Sequence, residues 1–355
     1  MAARVGACSS GVVTAELLRR ADVDADAVKR AVASSWQAPV RAVYVPHRLA
    51  LSDVELAHVG VAHAGPDAVV SGLLAARAMR MRWLPEDVPG VLMLVPAETR
   101  RQAVENLVLV RRCAALSGLR TRLWEGVQLA PPAQVVVDSC RQLLAFRRVG
   151  GTPRRATESF DAWCLRDIRG IVLGAIADGR CTVAELRAVV DTGAMRDSAL
   201  IRRACVDASR GAASPPEAEL VDGLLDEGIL FACNVELWDD FVLVAVLDVH
   251  LIGTGVGGEM DSKEAHQRPD LLDATLLRHS RVESYGAKLC HVTPTRYRSN
   301  PTTFHAELFA EARGRLARGV GDPPGLRYVL HGPVMRGPRV SNPPYRLPSP
   351  VARAA

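Results

Sequence analysis

One stretch constrains this chain more than any other. Residues 241–266 read FVLVAVLDVHLIGTGVGGEMDSKEAH. An apolar run ends in a single acid, Asp248. A Gly-rich turn follows, and then come Glu259, Asp261 and His266. The pattern predicts two strands of a hairpin, and acids two apart on a strand point to one face. Three carboxylates would therefore gather at the edge of an otherwise apolar sheet. Such a cluster repels itself and is costly beside a core, unless a hard cation such as Mg²⁺ or Mn²⁺ lies between the acids. A metal-dependent phosphodiesterase would need this arrangement.

The length of 355 residues predicts two or three domains, and a hydrophobic share of 48% is ample for their cores. A net charge of +5 suits a polyanionic partner without demanding one. Arginine dominates the basic residues, with lysine only at Lys29, Lys263 and Lys288. The eight cysteines are scattered and lack zinc-ligand spacing, which argues for small hydrophobes in a reducing compartment. The N-terminal residues lack a signal-peptide pattern, and no apolar run approaches a membrane span. The expectation is a cytoplasmic protein with no membrane partner.

Along the chain, two short helices, Thr14–Ala21 and Asp24–Ser34, precede a strand at Arg41–Val45. Helix, helix and β-ribbon within fifty residues (10–50) match a winged helix-turn-helix, in which Lys29, Arg30 and Arg41 would meet DNA phosphates. The same residues also suit a small packing module with solvated charges. Residues 51–146 read as an α+β unit, with helices at Leu51–Gly60, Asp67–Ala78 and Ala133–Phe146 and strands at Val91–Val95, Leu107–Arg112 and Leu119–Leu123. Residues 147–210 read as a helical connector. From Ser214 to Arg318 the order is helix, three strands, helix, strand, helix. The segment 319–355, rich in Pro, Gly and Arg, reads as a basic disordered tail. The expected fold class is thus multidomain, α/β and α+β.

The residues Ser214-Pro-Pro-Glu217, Asp248, Gly258-Glu259-Met-Asp261-Ser262, His266, Arg278-His279, Gly286 and Val292-Thr-Pro294 resemble the very-short-patch-repair-like branch of the PD-(D/E)XK nucleases. The resemblance covers residues 211–318 and implies a restriction-endonuclease-like mixed sheet flanked by helices. It implies that Asp248 and Glu259 bind Mg²⁺, and that Glu217 completes the acidic cluster or holds a metal-bound water. Asp261 stands where many nucleases of this fold carry lysine, and Lys263 lies two residues beyond. His266 would then act as general acid or base. Read from the residues alone, Glu217 equally suits a first-turn acid favoured by the helix dipole, and His266 a structural histidine.

The N-terminal half, through Arg41-Ala-Val-Tyr44, the helix at Val70–Ala78, the strands at Val91–Val95 and Leu107–Arg112, and Leu129-Ala-Pro-Pro-Ala133 before Asp138, resembles the AbiEi-type antitoxins of type IV toxin–antitoxin systems. Ala42 stands where a glycine is usual. That resemblance implies a winged helix that represses its own operon and a nucleotidyltransferase-like toxin as partner. Two functions follow as expectations: a double-stranded-DNA endonuclease, or an antitoxin-like regulator whose C-terminal domain no longer cuts.

Overall fold

The computed structural model describes residues 10–150, 159–192, 197–225, 230–261 and 269–336, with backbone alone for 269–276. It is a mixed α/β architecture, and the described residues contain twelve α-helices and three sheets. None of these helices is long and apolar enough to cross a membrane. The chain divides into two compact units, 1–203 and 204–355, with the boundary inside a helix.

The first unit begins with a three-stranded antiparallel sheet in the order β1-β3-β2, from β1 (Val13–Thr14), β2 (Gln37–Val40) and β3 (Val43–Val45). Helices α1 (Ala15–Arg20) and α2 (Ala25–Ser34) lie between β1 and β2 in the chain. Their ends are set by side chains: Thr14 accepts the Leu17 N–H, and Asp24 accepts the Ala27 N–H. Each cap satisfies a donor that the first turn leaves unpaired. Val13, Leu18, Val28 and Trp36 form the small core. The strand expected at Arg41–Val45 is present as β3, and Arg41 and Ala42 form the two-residue turn that joins it to β2, with Ala42 at φ +64°.

A five-stranded mixed sheet follows, in the order β6-β5-β4-β8-β7. Its strands are β4 (Val69–Ser71), β5 (Val91–Pro96), β6 (Val108–Cys113), β7 (Arg122–Trp124) and β8 (Val127–Leu129). Helices α3 (Asp53–Ala64), α4 (Gly72–Ala78) and α5 (Pro132–Gly150) accompany it. The expected helix Asp67–Ala78 is corrected here. Val69 and Val70 are β-branched and enter the sheet, and Gly72 at φ +66° turns the chain into α4. The positive φ at Gly72 favours glycine, and a Cβ there would also lie 3.1 Å from Leu92 Cβ. Asp138, buried on α5, accepts from Ser71 Oγ (2.7 Å) and pairs with Arg111, tying helix to sheet. Helices α6 (Phe160–Ala177), α7 (Val183–Thr192) and α8 (Ser198–Ser209) then occupy the stretch read as a connector.

The second unit is built on a six-stranded sheet in the order β12-β11-β10-β9-β13, with β14 also on β9. Its strands are β9 (Leu230–Asp239), β10 (Val242–Leu251), β11 (Val256–Met260), β12 (Lys288–Val292), β13 (Arg327–Leu330) and β14 (Met335–Arg336). Strands β9, β10 and β11 are antiparallel neighbours, whereas β11 and β12 run parallel. A parallel pair needs a crossover, and α10 (Pro269–Ser284) supplies it. Two cores cover the sheet. One joins Leu220, Val221 and Leu224 of α9 (Pro215–Leu225) to Phe304, Leu308 and Phe309 of α12 (Pro301–Ala317). The other includes Val282 of α10. The short α11 (Pro294–Ser299), capped by Thr293, precedes α12.

Residues 319–336 correct the expectation of a disordered tail. β13 pairs antiparallel with Trp238–Val235 and β14 with Phe231–Leu230, so the tail covers what would otherwise be the open edge of β9. Leu326 and Met335 are buried. Asp322 accepts the backbone N–H groups of Gly253 (3.0 Å) and Gly255 (2.7 Å) in the β10–β11 turn and faces His250 Nε2 at 3.2 Å. Residues 337–355 lie outside the described residues.

Candidate metal centre

The β10–β11 register pairs Val249 with Gly258. Extended by one residue, it sets Asp248 opposite Glu259, and directly opposed residues lie side by side on a sheet. The parallel β11–β12 register pairs Glu259 with His291. An irregularity in β9 sharpens the arrangement. Asn234 at φ +49° faces Asp248, and the ladder is interrupted between Val235↔Leu247 and Cys233↔Val249. Phe231 and Cys233 belong to one core while Val235 and Leu237 belong to the other, so β9 turns its faces over at this point. Asp248 stands where the sheet changes sides.

Asp248 is half-buried and accepts the Met260 N–H at 2.6 Å. Burial and the neighbouring Glu217 and Glu259 carboxylates hold its pKa well above the usual aspartate value. Glu259 is 5% exposed. Burial pushes it up to about 7, against Arg278 and His291, which pull it down. Its Oε2 lies 3.3 Å from Arg278 Nη2, while Oε1 is buried with no hydrogen-bond partner. An orphaned carboxylate oxygen in such a site is costly and calls for a cation or a proton. As hard oxygen donors, Glu259 Oε1 and Asp248 suit Mg²⁺ or Mn²⁺.

The other expected site residues fall as follows. Glu217 lies in the first turn of α9, where its backbone N–H donates to Ser214 Oγ at 3.4 Å. Its Oε1 accepts from Ser214 Oγ (2.7 Å), and its Oε2 accepts from Ala213 N–H (2.8 Å) and Asn234 Nδ2 (3.3 Å). Both oxygens are engaged, so Glu217 reaches Asp248 through its charge. Asp261, just beyond β11, faces His291 Nδ1 at 3.5 Å. Lys263 and His266 lie outside the described residues. Lys29 and Arg30 are exposed on α2 and pair with Asp26 (2.9 Å) and Asp24 (3.9 Å). Exposed pairs of this kind hold a side chain by only about 0–1 kcal/mol. Arg41 is exposed in the β2–β3 turn.

Sequence reasoning gave no role to Arg278, His279 or His291. Among the described residues, the group of three metal-capable side chains whose ligand atoms all lie within 4.8 Å of one another is Asp261, His279 and His291, without Glu217, Asp248 or Glu259. Assuming β12 parallel to β11 would have put His291 beside Glu259. His279 stands in the Arg278-His279 pair that the nuclease resemblance includes, but no spacing rule in the sequence brings it to Asp261 and His291.

No protein-family model matches the chain. No curated protein matches it either. Among solved structures, the crystal structure of the RV2827C protein from Mycobacterium tuberculosis is similar at 18% identity over 60% of this chain and 77% of that one, with a TM-score of 0.36.

Proposed function

We propose that this chain is a DNA-binding protein whose C-terminal unit is a Mg²⁺- or Mn²⁺-dependent endonuclease-like domain acting on DNA phosphodiesters. The observation that supports the reading best is the Asp248–Glu259 pair, opposed across neighbouring strands, with one Glu259 oxygen buried and unbonded. The helix–three strands–helix–strand–helix order of the second unit, around a mixed sheet with its parallel β11–β12 pair, supports this reading, since the nuclease resemblance implies a mixed sheet flanked by helices. Asp248 and Glu259 would hold the ion, which would supply Lewis acidity toward a phosphate. Arg278, whose Nε is buried without a partner, would bind a non-bridging phosphate oxygen. His266 keeps the general acid–base role that the resemblance implies, and Lys263 is the lysine nearest the position where many nucleases of this fold carry one. The test is incubation of supercoiled plasmid with the protein and Mg²⁺ or Mn²⁺. Nicking that is lost in Asp248→Asn and Glu259→Gln is expected. Nicking that survives both would mark a contaminant, and its absence from the wild type would leave no active nuclease.

A second reading is an antitoxin-like regulator with an inactive nuclease-fold domain and a nucleotidyltransferase-like toxin as partner. It draws support from the β1-α1-α2-β2-β3 order, in which β1 pairs with β3 as in a winged helix. Exposed Lys29, Arg30 and Arg41 would contact phosphates. A gel shift on the protein's own upstream DNA at two salt concentrations tests it, since phosphate-borne affinity falls steeply with salt. Failure to shift that DNA at low salt would contradict this reading.

A further inference from the structure

We propose that Asp261, His279 and His291 form a binding site for a Zn²⁺-class divalent cation, separate from the Asp248–Glu259 pair. The three side chains come from the end of β11, from α10 and from β12, and their ligand atoms all lie within 4.8 Å of one another. The Asp261 Oδ2 to His291 Nδ1 separation is 3.5 Å, too long for a good hydrogen bond. It is close to the edge of about 3.4 Å that two ligands span on a tetrahedral ion with bonds of about 2.1 Å. His291 Nδ1 is buried and makes no hydrogen bond.

The rings of His279 and His291 lie with centroids 4.0 Å apart and are tilted by 33° to one another. Burial and the neighbouring His291 and Arg278 disfavour charge on the His279 ring, and neutral imidazole is the form that ligates a metal. Two imidazoles and one carboxylate form a borderline donor set that suits Zn²⁺ or Co²⁺ better than Mg²⁺, which prefers oxygen alone. Arg278 Nη2 lies 3.5 Å from His279 Nε2 and also pairs with Glu259 at 3.3 Å. Three protein ligands leave room for water or a substrate oxygen on the ion.

The test uses the full-length, untagged protein stripped with a chelator. Co²⁺ is titrated in excess Mg²⁺ and followed by its visible d–d absorption, and Zn²⁺ is then added to displace it. The expected result is one equivalent of Co²⁺ in a four- or five-coordinate site. Both His279→Gln and His291→Gln should weaken binding by about tenfold or more, since the loss of even an outer-shell partner costs about 10–100-fold. Asp248→Asn should leave Co²⁺ affinity unchanged. Absence of binding in the wild type, binding retained in both histidine variants, or loss of binding in Asp248→Asn would overturn the proposal. Zinc-edge X-ray absorption on the wild type keeps the test open should a variant fail to fold. Two imidazoles in the coordination shell support the site, and sulfur ligands or no imidazole overturn it.

Discussion

At the residue scale, Glu259 is a buried acid in the second unit whose pKa lies above its ordinary value. A carboxyl whose pKa is higher in the folded chain keeps a proton that the unfolded chain has already lost. Unfolding free energy therefore falls as pH rises from the ordinary value of 4.5 to about 7, and levels off above. Glu259→Gln removes that dependence. Relative to the variant, the wild type should lose on the order of 3 kcal/mol between those limits, at about 1.4 kcal/mol per pKa unit. Urea denaturation at pH 4.5 and pH 8 without divalent ions measures it, and a constant difference between the two proteins would count against the buried acid. His279 gives a second check. Burial, with His291 and Arg278 beside it, lowers its pKa to about 4. Its ring signals in NMR should titrate near pH 4, and a midpoint near 6.5 would show a solvated ring. Ala42 offers a third. A non-glycine residue in the left-handed region carries strain of about 1–2 kcal/mol, partly offset by the backbone freedom that glycine loses on folding. Ala42→Gly should stabilise the first unit by about 0.5–1 kcal/mol, read as a higher melting temperature. A lower one would argue against this turn.

At the scale of elements, the strands carrying the acids were legible. The apolar run, the Gly-rich turn and the Glu-x-Asp spacing predict strands at Phe241–Val249 and Gly255–Asp261, within about two residues of β10 and β11. The Ser-Pro-Pro-Glu start of α9 was legible as well, because a cap is a local interaction. What sequence did not reveal depends on partners distant in the chain. The strand β4 hid inside a helix-like pattern because its pairing with β5 and β8 lies outside any local window. His279 and His291 meet only through the crossover from β11 to β12. The segment 319–336 reads as a tail because it is rich in Pro and Gly, while its order comes from β9 and from Asp322. That contact has a measurable consequence. Asp322→Ala would leave two turn N–H groups unpaired beside buried His250, and should destabilise the second unit by about 3 kcal/mol. Hydrogen exchange at Gly253 and Gly255 should accelerate in parallel. An unchanged melting temperature would mean that the segment does not hold the sheet edge.

At the scale of the molecule, a small helical module with a three-stranded sheet opens the first unit, and a sheet with an acid pair forms the second. The two proposed activities make different demands on this architecture. DNA binding through Lys29, Arg30 and Arg41 would be electrostatic, so changing all three to Gln should weaken binding about equally on any sequence and flatten its salt dependence. Cutting needs the acid pair as well, and both readings of the second unit turn on whether that pair takes a hard cation. The most direct measurement is calorimetric titration of the full-length chain with Mg²⁺, which the imidazoles of His279 and His291 bind poorly. Saturable binding at one site, lost in both Asp248→Asn and Glu259→Gln and kept in His279→Gln, is the predicted result. Binding that is undetectable in the wild type, or that survives both acid substitutions, would contradict the account.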